Sequence, residues 1–197
     1  MQPFIRVSQL KQSFGAQEVL KGVSFDVDKG ELLALIGGSG AGKSVILKHL
    51  DGLIDPLDGY VDIDGRRISN VPEKVKREIR SKIGFMFQQG ALFDSLSVGE
   101  NVAFPLQEAG LKNEEELDSR ISAALESVGL SGQEEKMPAN LSGGMIKRAG
   151  IARALSLGAT ILLLDEPSAG LDPITAANLD QTIRKLRDNL GATFVIV

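Results

Sequence analysis

The sequence contains no cysteine, which excludes a disulfide framework and any cysteine-based zinc site and accords with a reducing compartment. It has no long hydrophobic run either: the longest apolar stretches, 31–36 and 161–164, fall far short of the roughly 20 residues a helix needs to cross a bilayer. The opening MQPFIRVSQL has no basic segment followed by an apolar one and does not read as a signal peptide. Lysine and arginine are dispersed through a chain of net charge −4, without the clustered cations that bind a phosphodiester backbone, so no nucleic-acid partner is expected. Internal repeats, low-complexity tracts and long linkers are missing too. What remains is 197 residues, 43% of them hydrophobic, enough to bury one sizeable core in a single domain or two small lobes.

The first third alternates short apolar runs with Gly, Asp and Pro, and predicts strands at 4–7, 23–27, 31–36 and 60–63. After Gly42 the spacing becomes helical, with Ile46, Leu47, Leu50 and Leu53 on one side. From about 89 to 155 the chain reads as mostly helical, with Leu117, Ile121, Leu125 and Val128 in a stripe preceded by a cap-like Asn113 and Glu116. Strand returns at 160–164, helix at 173–190 (Leu179, Ile183, Leu186, Leu190) and strand at 193–197. Strands alternating with helices imply an α/β fold with a parallel sheet.

Three segments carry chemistry. Gly37-Gly38-Ser39-Gly40-Ala41-Gly42-Lys43-Ser44 satisfies the phosphate-loop pattern and lies between a predicted strand and a predicted helix. Glycines let backbone N–H groups converge on phosphates, the helix N-terminus adds partial positive charge, Lys43 reaches the β/γ-phosphates and the Ser44 hydroxyl can ligate magnesium. Ile161-Leu162-Leu163-Leu164-Asp165-Glu166 reads as a buried parallel strand whose carboxyl end delivers two acids, Asp165 for magnesium and Glu166 to polarise an attacking water. Leu141-Ser142-Gly143-Gly144-Met145 opens a further helix, whose N-terminus forms a second anion site. One nucleotide has no use for two such sites on one chain, but two copies arranged head to tail could each serve the other's γ-phosphate.

Taken in order, Gly37 to Ser44, Gln88, Leu141 to Gly144, Asp165-Glu166 and Ser168-Ala169-Gly170-Leu171-Asp172 resemble the nucleotide-binding domain of ABC ATPases over nearly the whole chain. The resemblance implies a P-loop NTPase fold with a RecA-like parallel core, an antiparallel β subdomain and an inserted helical subdomain. It implies a single domain over 1–197, with 1–88 and 156–197 as core lobe and 89–155 as the helical lobe. It assigns ATP binding to Phe14, Gly37, Gly38, Ser39, Gly40, Ala41, Gly42, Lys43, Ser44 and Val45. Catalysis falls to Glu166, Gln88 and Lys43, and magnesium to Ser44, Gln88 and Asp165. Contact with a partner's ATP falls to Leu141, Ser142, Gly143, Gly144 and Met145, and the D-loop aspartate is Asp172. Phe14 is the family's adenine-stacking aromatic or, on composition alone, a buried core residue. His49, the only histidine, is expected to pack or lie on the surface. Two departures leave the backbone donors intact: Gly38 stands where the family often has Pro, and Met145 where it has Gln. The family's switch histidine would follow 193–197, so the sequence is expected to be C-terminally incomplete and to bind nucleotide better than it hydrolyses it.

The segment Phe87-Gln88-Gln89-Gly90-Ala91-Leu92-Phe93-Asp94-Ser95-Leu96-Ser97-Val98, together with 100–106, Asp172-Pro173-Ile174-Thr175 and the Met-containing signature, is similar to ATPases of Mla/Mce lipid-transport systems. That similarity implies an ATP- and magnesium-dependent subunit lying cytoplasmically against the inner face of the membrane. Its partners would be a second copy of itself and an integral permease, with an Mce-type lipid-binding protein acting indirectly. The permease would dock near Gln88 and 90–96. The alternatives are the ATPase of a polar-amino-acid or other small-solute importer and, in a different class, a soluble non-transport ABC ATPase. The last would carry a coiled-coil insertion, a tandem domain or a basic surface.

Overall fold

Four consecutive apolar residues, Ile161 to Leu164, form a strand with no exposed side, and the other elements are arranged about it. The structure, a computed structural model, describes residues 2–197. In order the elements are β1 (Ile5–Phe14), β2 (Gln17–Val27), β3 (Leu32–Ala34), α1 (Lys43–Leu50), β4 (Asp58–Ile63), β5 (Arg66–Arg67), α2 (Glu73–Arg80) and β6 (Ile83–Met86). There follow α3 (Val98–Glu108), α4 (Glu114–Ser127), a 3₁₀ turn at Pro138–Asn140, α5 (Gly143–Leu155), β7 (Ile161–Leu164), α6 (Pro173–Leu190) and β8 (Thr193–Ile196). None of the helices among the described residues is long and apolar enough to cross a membrane.

Two sheets result: an antiparallel one in the order β2-β1-β4-β5 and a parallel one in the order β3-β8-β7-β6. Side chains alternate faces along a strand. In the parallel sheet Leu162, Leu164 and Phe194 therefore join the core of Val102, Leu125, Ala149 and Ile183, while Ile161, Leu163 and Val195 join that of Leu10, Leu47, Leu50 and Ile63. The first core takes in α3 to α6, the second α1 and the antiparallel sheet. The helices of 98–155 thus pack onto the sheet itself. One close approach is at Gly84 on β6, where a Cβ would lie 2.2 Å from the carbonyl oxygen of Ala154 on α5.

Register positions the functional loops. Ala34 pairs with Ile196, Ile196 with Leu164, and Leu164 with Met86, so the carboxyl ends of all four parallel strands lie in one row. The loops after β3, β6 and β7 leave the sheet at the edge where open α/β sheets bind ligands.

Helix α6 begins at an Asp172 N-cap with Pro173 at its first position and ends at Gly191 in the left-handed conformation, as the sequence predicts for 173–190. Elsewhere the expectations shift. Helix α1 stops at Leu50 because Gly52 (φ 66°) turns the chain, and Leu53 is exposed rather than on the apolar side. Strands β1 and β2 run well beyond the predicted 4–7 and 23–27, since their open face is polar and a bulge at Gln9 (φ 48°) breaks the alternation. Helix in the 89–155 region starts only at Val98, after a non-helical loop. Of the predicted stripe on α4, Leu125 is buried and Leu117 and Ile121 are half-buried, and Val128 is buried just past the helix end.

The turn after α1 carries a pH dependence. His49 is buried, and its Nδ1, 2.8 Å from the Ile54 carbonyl oxygen, must carry the proton because that oxygen can only accept. Burial pushes the imidazole pKa down, opposed by that bond and by Asp55, so the packing expectation holds. The Asp51 carboxyl is buried and pushed up to about 7, with the Arg80 guanidinium, 3.8 Å away, opposing. For Asp51 the folded pKa lies above the unfolded value, so its contribution is full at about pH 4 and below and is lost as pH rises through 7. His49 acts in the opposite sense: its contribution is present above about pH 6.5 and is lost as pH falls. Asp51→Asn is therefore expected to be stabilising at pH 8 relative to pH 5, by an amount on the order of 3 kcal/mol. Urea midpoints at the two pH values test this, and a difference from wild type that is the same at both would count against it.

Candidate nucleotide site

The phosphate loop leaves the carboxyl end of β3 and turns into α1 through Gly40 (φ 76°) and Gly42 (φ 87°). Gly42 has a second requirement: a Cβ there would lie 2.8 Å from both Val19 and Leu20 on β2. Lys43 Nζ donates to the carbonyl oxygens of Gly37 (2.9 Å) and Gly38 (3.0 Å), which arches the loop and holds the ammonium at its mouth. Ser39 and Ala41 lie exposed on that loop, and Val45 is half-buried on the first turn of α1.

Ser44 Oγ donates to Asp165 Oδ1 at 2.8 Å, and the Asp165 amide is anchored to the Met86 carbonyl at 3.0 Å. Cis oxygens in an octahedral magnesium shell stand about 3.0 Å apart, so this pair has the spacing of two adjacent ligands. Among the described residues no group of three or more acidic or histidine side chains is arranged to hold a metal ion. A cation here would complete its shell with phosphate and water oxygens, as magnesium prefers.

Beside Asp165, Glu166 adopts φ 47°, a left-handed conformation unusual for a residue with a side chain. Its amide donates to Val197 O at 3.0 Å, and its Oε2 accepts from Gln88 Nε2 at 2.6 Å. With its NH₂ group engaged, Gln88 keeps Oε1 free as an acceptor for a cation or water. The Glu166 carbonyl accepts from Lys147 Nζ at 3.3 Å. Burial lowers the Lys147 pKa, opposed by Glu166 and Asp165. The sequence reading thus finds its phosphate loop, Gln88, Asp165 and Glu166 in one hydrogen-bonded group.

That reading missed the side chains supporting the group. The loop after Gln88 is tied to α5 by Arg153, which donates to Ala91 O (2.7 Å) and Gly90 O (3.0 Å). Fully buried Asn101 accepts from Phe93 N (2.7 Å) and donates to the carbonyls of Phe93 (3.1 Å), Leu96 (3.1 Å) and Ser97 (2.9 Å). A usable signal existed for α5. Gly144, Ala149, Gly150, Ile151, Ala152 and Ala154 leave it little polar face, so a cation at 147 or 153 has nowhere to go but inward.

Phe14 is 49% exposed at the β1–β2 turn, opposite Gln17, which corrects the reading of it as a core residue. The same hairpin packs Val19 and Leu20 on Gly42, so Phe14 stands on the strand pair flanking the phosphate loop.

The second anion site lies in a different cluster. Ser142 caps α5, accepting from Met145 N at 3.3 Å, while Leu141 and Met145 pack on the core with Leu171. Asp172 caps α6, and the Thr175 side chain and the Thr175 and Ile174 amides hold its carboxyl below the usual range. Among the described residues no hydrogen bond joins Ser142 to Met145 with the phosphate loop. The glycines also have a packing role: a Cβ at Gly144 would lie 2.5 Å from Thr175 Cγ2, and one at Gly143 would lie 3.3 Å from Leu171. Gly144→Ala is expected to cost about 1–3 kcal/mol, lowering Tm by several degrees. Adding Thr175→Ser, which removes the obstructing methyl, should recover most of that loss. Calorimetry on the single and double variants checks this, and additive losses would show that the clash is not the cause.

Residues 20–169 match the family described as ABC transporter. The probable ribonucleotide transport ATP-binding protein mkl of Mycobacterium leprae is 46% identical over 193 residues, covering 98% of this chain and 56% of that protein. The chloroplastic protein trigalactosyldiacylglycerol 3 of Arabidopsis thaliana is 43% identical over 190 residues, covering 92% of this chain and 54% of that protein. The chain thus spans about half the length of the curated relatives it matches. Among solved structures, a dimeric ATP-binding cassette in a post-hydrolysis state bound to ADP and Pi superposes with a TM-score of 0.87 at 33% identity, covering 98% of this chain and 87% of that one.

Proposed function

This chain belongs to the ABC transporter family of ATP-binding domains, and we propose that it is the subunit that binds and hydrolyses ATP to energise lipid transport through a membrane permease. One observation carries the hydrolytic part: the Ser44–Asp165 and Gln88–Glu166 contacts lie side by side at the carboxyl edge of the sheet. The phosphate loop cradles the phosphates and Lys43 neutralises them. Ser44 and Asp165, with Gln88 Oε1 as a further acceptor, would hold magnesium, which would supply charge stabilisation on the transferring phosphoryl group. Glu166 orients and deprotonates the attacking water. Phe14 stacks on adenine, and Ser142 to Gly144 of a second copy close over the γ-phosphate in a head-to-tail dimer; the dimeric state of the nucleotide-bound cassette supports this.

The permease docks in a groove of about 330 Å³ beside the loop that follows Gln88, lined by Phe85, Phe87, Phe93, Phe104, Arg153 and Leu157. Four of these, Phe87, Phe93, Phe104 and Leu157, are exposed large apolar side chains. In this reading the ATPase lies against the inner face of the membrane. The lipid reading is supported by the galactolipid in the plant relative's name and by the 87–106 segment. A small polar solute is the second reading, favoured by the ribonucleotide in the mycobacterial relative's name. Purification with the native permease, followed by mass spectrometry of molecules bound to the permease, decides between them: co-purifying phospholipid supports the first, and a polar solute other than ATP or ADP, without lipid, overturns it.

A further inference from the structure

Lys147 has no task in the reaction just described, yet it is among the most buried charged residues in the protein, 5% exposed on a helix made largely of small and apolar side chains. Burying an ammonium is unfavourable unless it is paired or hydrogen-bonded. Its hydrogen bond is not to a carboxylate side chain but to the main-chain carbonyl of Glu166, at 3.3 Å. Glu166 is also one of six non-glycine residues with positive φ among the described residues, at 47°, a conformation that persists only where the surroundings hold it. Three hydrogen bonds restrain the backbone of Glu166: its N–H donates to Val197 O at 3.0 Å, and its carbonyl accepts from the Ala169 amide at 3.2 Å, a local turn, and from Lys147 Nζ at 3.3 Å, the one side-chain donor. The Glu166 side chain then meets Gln88 at 2.6 Å. The same helix reaches the other member of that pair, because Arg153, six residues further on, holds the carbonyls of Gly90 and Ala91 just beyond Gln88.

We propose that Lys147 is a positioning residue: its ammonium, by holding the Glu166 carbonyl, fixes the left-handed backbone that aims the Glu166 carboxylate at Gln88 and the attacking water. The helix that begins at Ser142 and Gly143 thereby sets the geometry of the hydrolytic carboxylate on its own chain. The effect of Lys147 falls on the chemical step and not on ATP affinity, because its hydrogen bond goes to Glu166 and to neither the phosphate loop nor the Ser44–Asp165 pair. This inference rests on Glu166 being the group that activates water, and the test separates the two.

Lys147→Met keeps the length and apolar stem and removes the charge and donor; Lys147→Arg keeps both. Steady-state ATP hydrolysis is measured for wild type, both variants and Glu166→Gln. A misplacement of about 1 Å at a reacting group costs roughly a hundredfold, so Lys147→Met is expected to lower kcat roughly 10- to 100-fold with KM within about twofold, and Lys147→Arg to recover most of the loss. Loss of activity in Glu166→Gln with kcat of Lys147→Met within about twofold of wild type overturns the role of Lys147 alone. Unchanged activity in Glu166→Gln overturns the reading of Glu166. Crystal structures of wild type and Lys147→Met test the same point independently of turnover: the Gln88–Glu166 contact should lengthen and the Glu166 backbone relax in the variant. Retention of both, with the Met side chain seated in place of Lys147, overturns the proposal.

Discussion

Replacing Lys43 by alanine is expected to weaken binding of ATP with magnesium about a hundredfold while leaving the fold intact. The ammonium is held at the mouth of the phosphate loop by the Gly37 and Gly38 carbonyls, and it is the only side-chain cation fixed there by hydrogen bonds among the described residues. A hydrogen bond to a charged group contributes about 1.5–3 kcal/mol, and Lys43 reaches two phosphates, so a net loss of about 3 kcal/mol is a conservative figure. At about 1.4 kcal/mol per factor of ten, that is somewhat more than a hundredfold in Kd. The fold should tolerate the change because the two carbonyls released belong to exposed glycines that water can satisfy. The remaining loop geometry depends on Gly40 and Gly42, which stay. Isothermal titration gives the affinity and thermal unfolding the control. A Kd within about threefold of wild type, at unchanged Tm, would remove the phosphate loop from the site.

The parts of this protein that were legible in its sequence are those in which local chemistry and tertiary position coincide. Residues 161–166 could be read as a buried strand delivering two acids because a strand covered on both faces needs apolar residues throughout, and Ile161 to Leu164 supply them. Helix α6 was legible to the residue because proline opens it and glycine closes it. Strand β6 was not: Ile-Gly-Phe-Met contains a glycine that argues against strand, and its reason, the carbonyl of Ala154 lying where a Cβ would go, comes from an element some 70 residues away. Helix α2 was missed because six of its eight residues are charged and only Val75 and Ile79 are apolar.

The candidate site divides along the same line. Phosphate-loop glycines, Asp165 and Glu166 announce themselves by residue type and spacing. Lys147, Arg153 and Asn101 do not, because lysine, arginine and asparagine on helices are ordinarily solvated, and their burial is decided by what packs against them. The signature glycines were read as anion donors, and that reading omitted their second requirement, the approach of Thr175 to Gly144. Phe14 shows the converse: residue type alone left the core open as an alternative to adenine stacking, and its place at an exposed strand end excludes the core.

Glu166→Gln is expected to lower ATP turnover by about 10²–10⁴-fold with ATP affinity changed only a few-fold, and to accumulate an ATP-bound dimer. The substitution is nearly isosteric. A glutamine keeps an oxygen that can accept the Gln88 amide now bonded at 2.6 Å, so the loop after Gln88 and the Glu166 backbone need not move. What it loses is the capacity to take a proton from water, which in general-base catalysis contributes about 10²–10⁴. Affinity is preserved because the groups that hold the phosphates and magnesium, Lys43, Ser44 and Asp165, are not altered. If each nucleotide is buried between the phosphate loop of one copy and Ser142 to Gly144 of the other, the dimer persists as long as the γ-phosphate does. Blocking hydrolysis then lengthens its life without creating any new contact. Size-exclusion chromatography with light scattering should show a monomer without nucleotide and a dimer with ATP and magnesium for the glutamine variant, and further adding Ser142→Arg, which places a bulky cation at the shared face, should return it to monomer. Turnover at the wild-type rate would show that Glu166 is not the base. Abolished turnover with no dimer would leave the carboxylate in its role and overturn the arrangement in which a second copy completes the site.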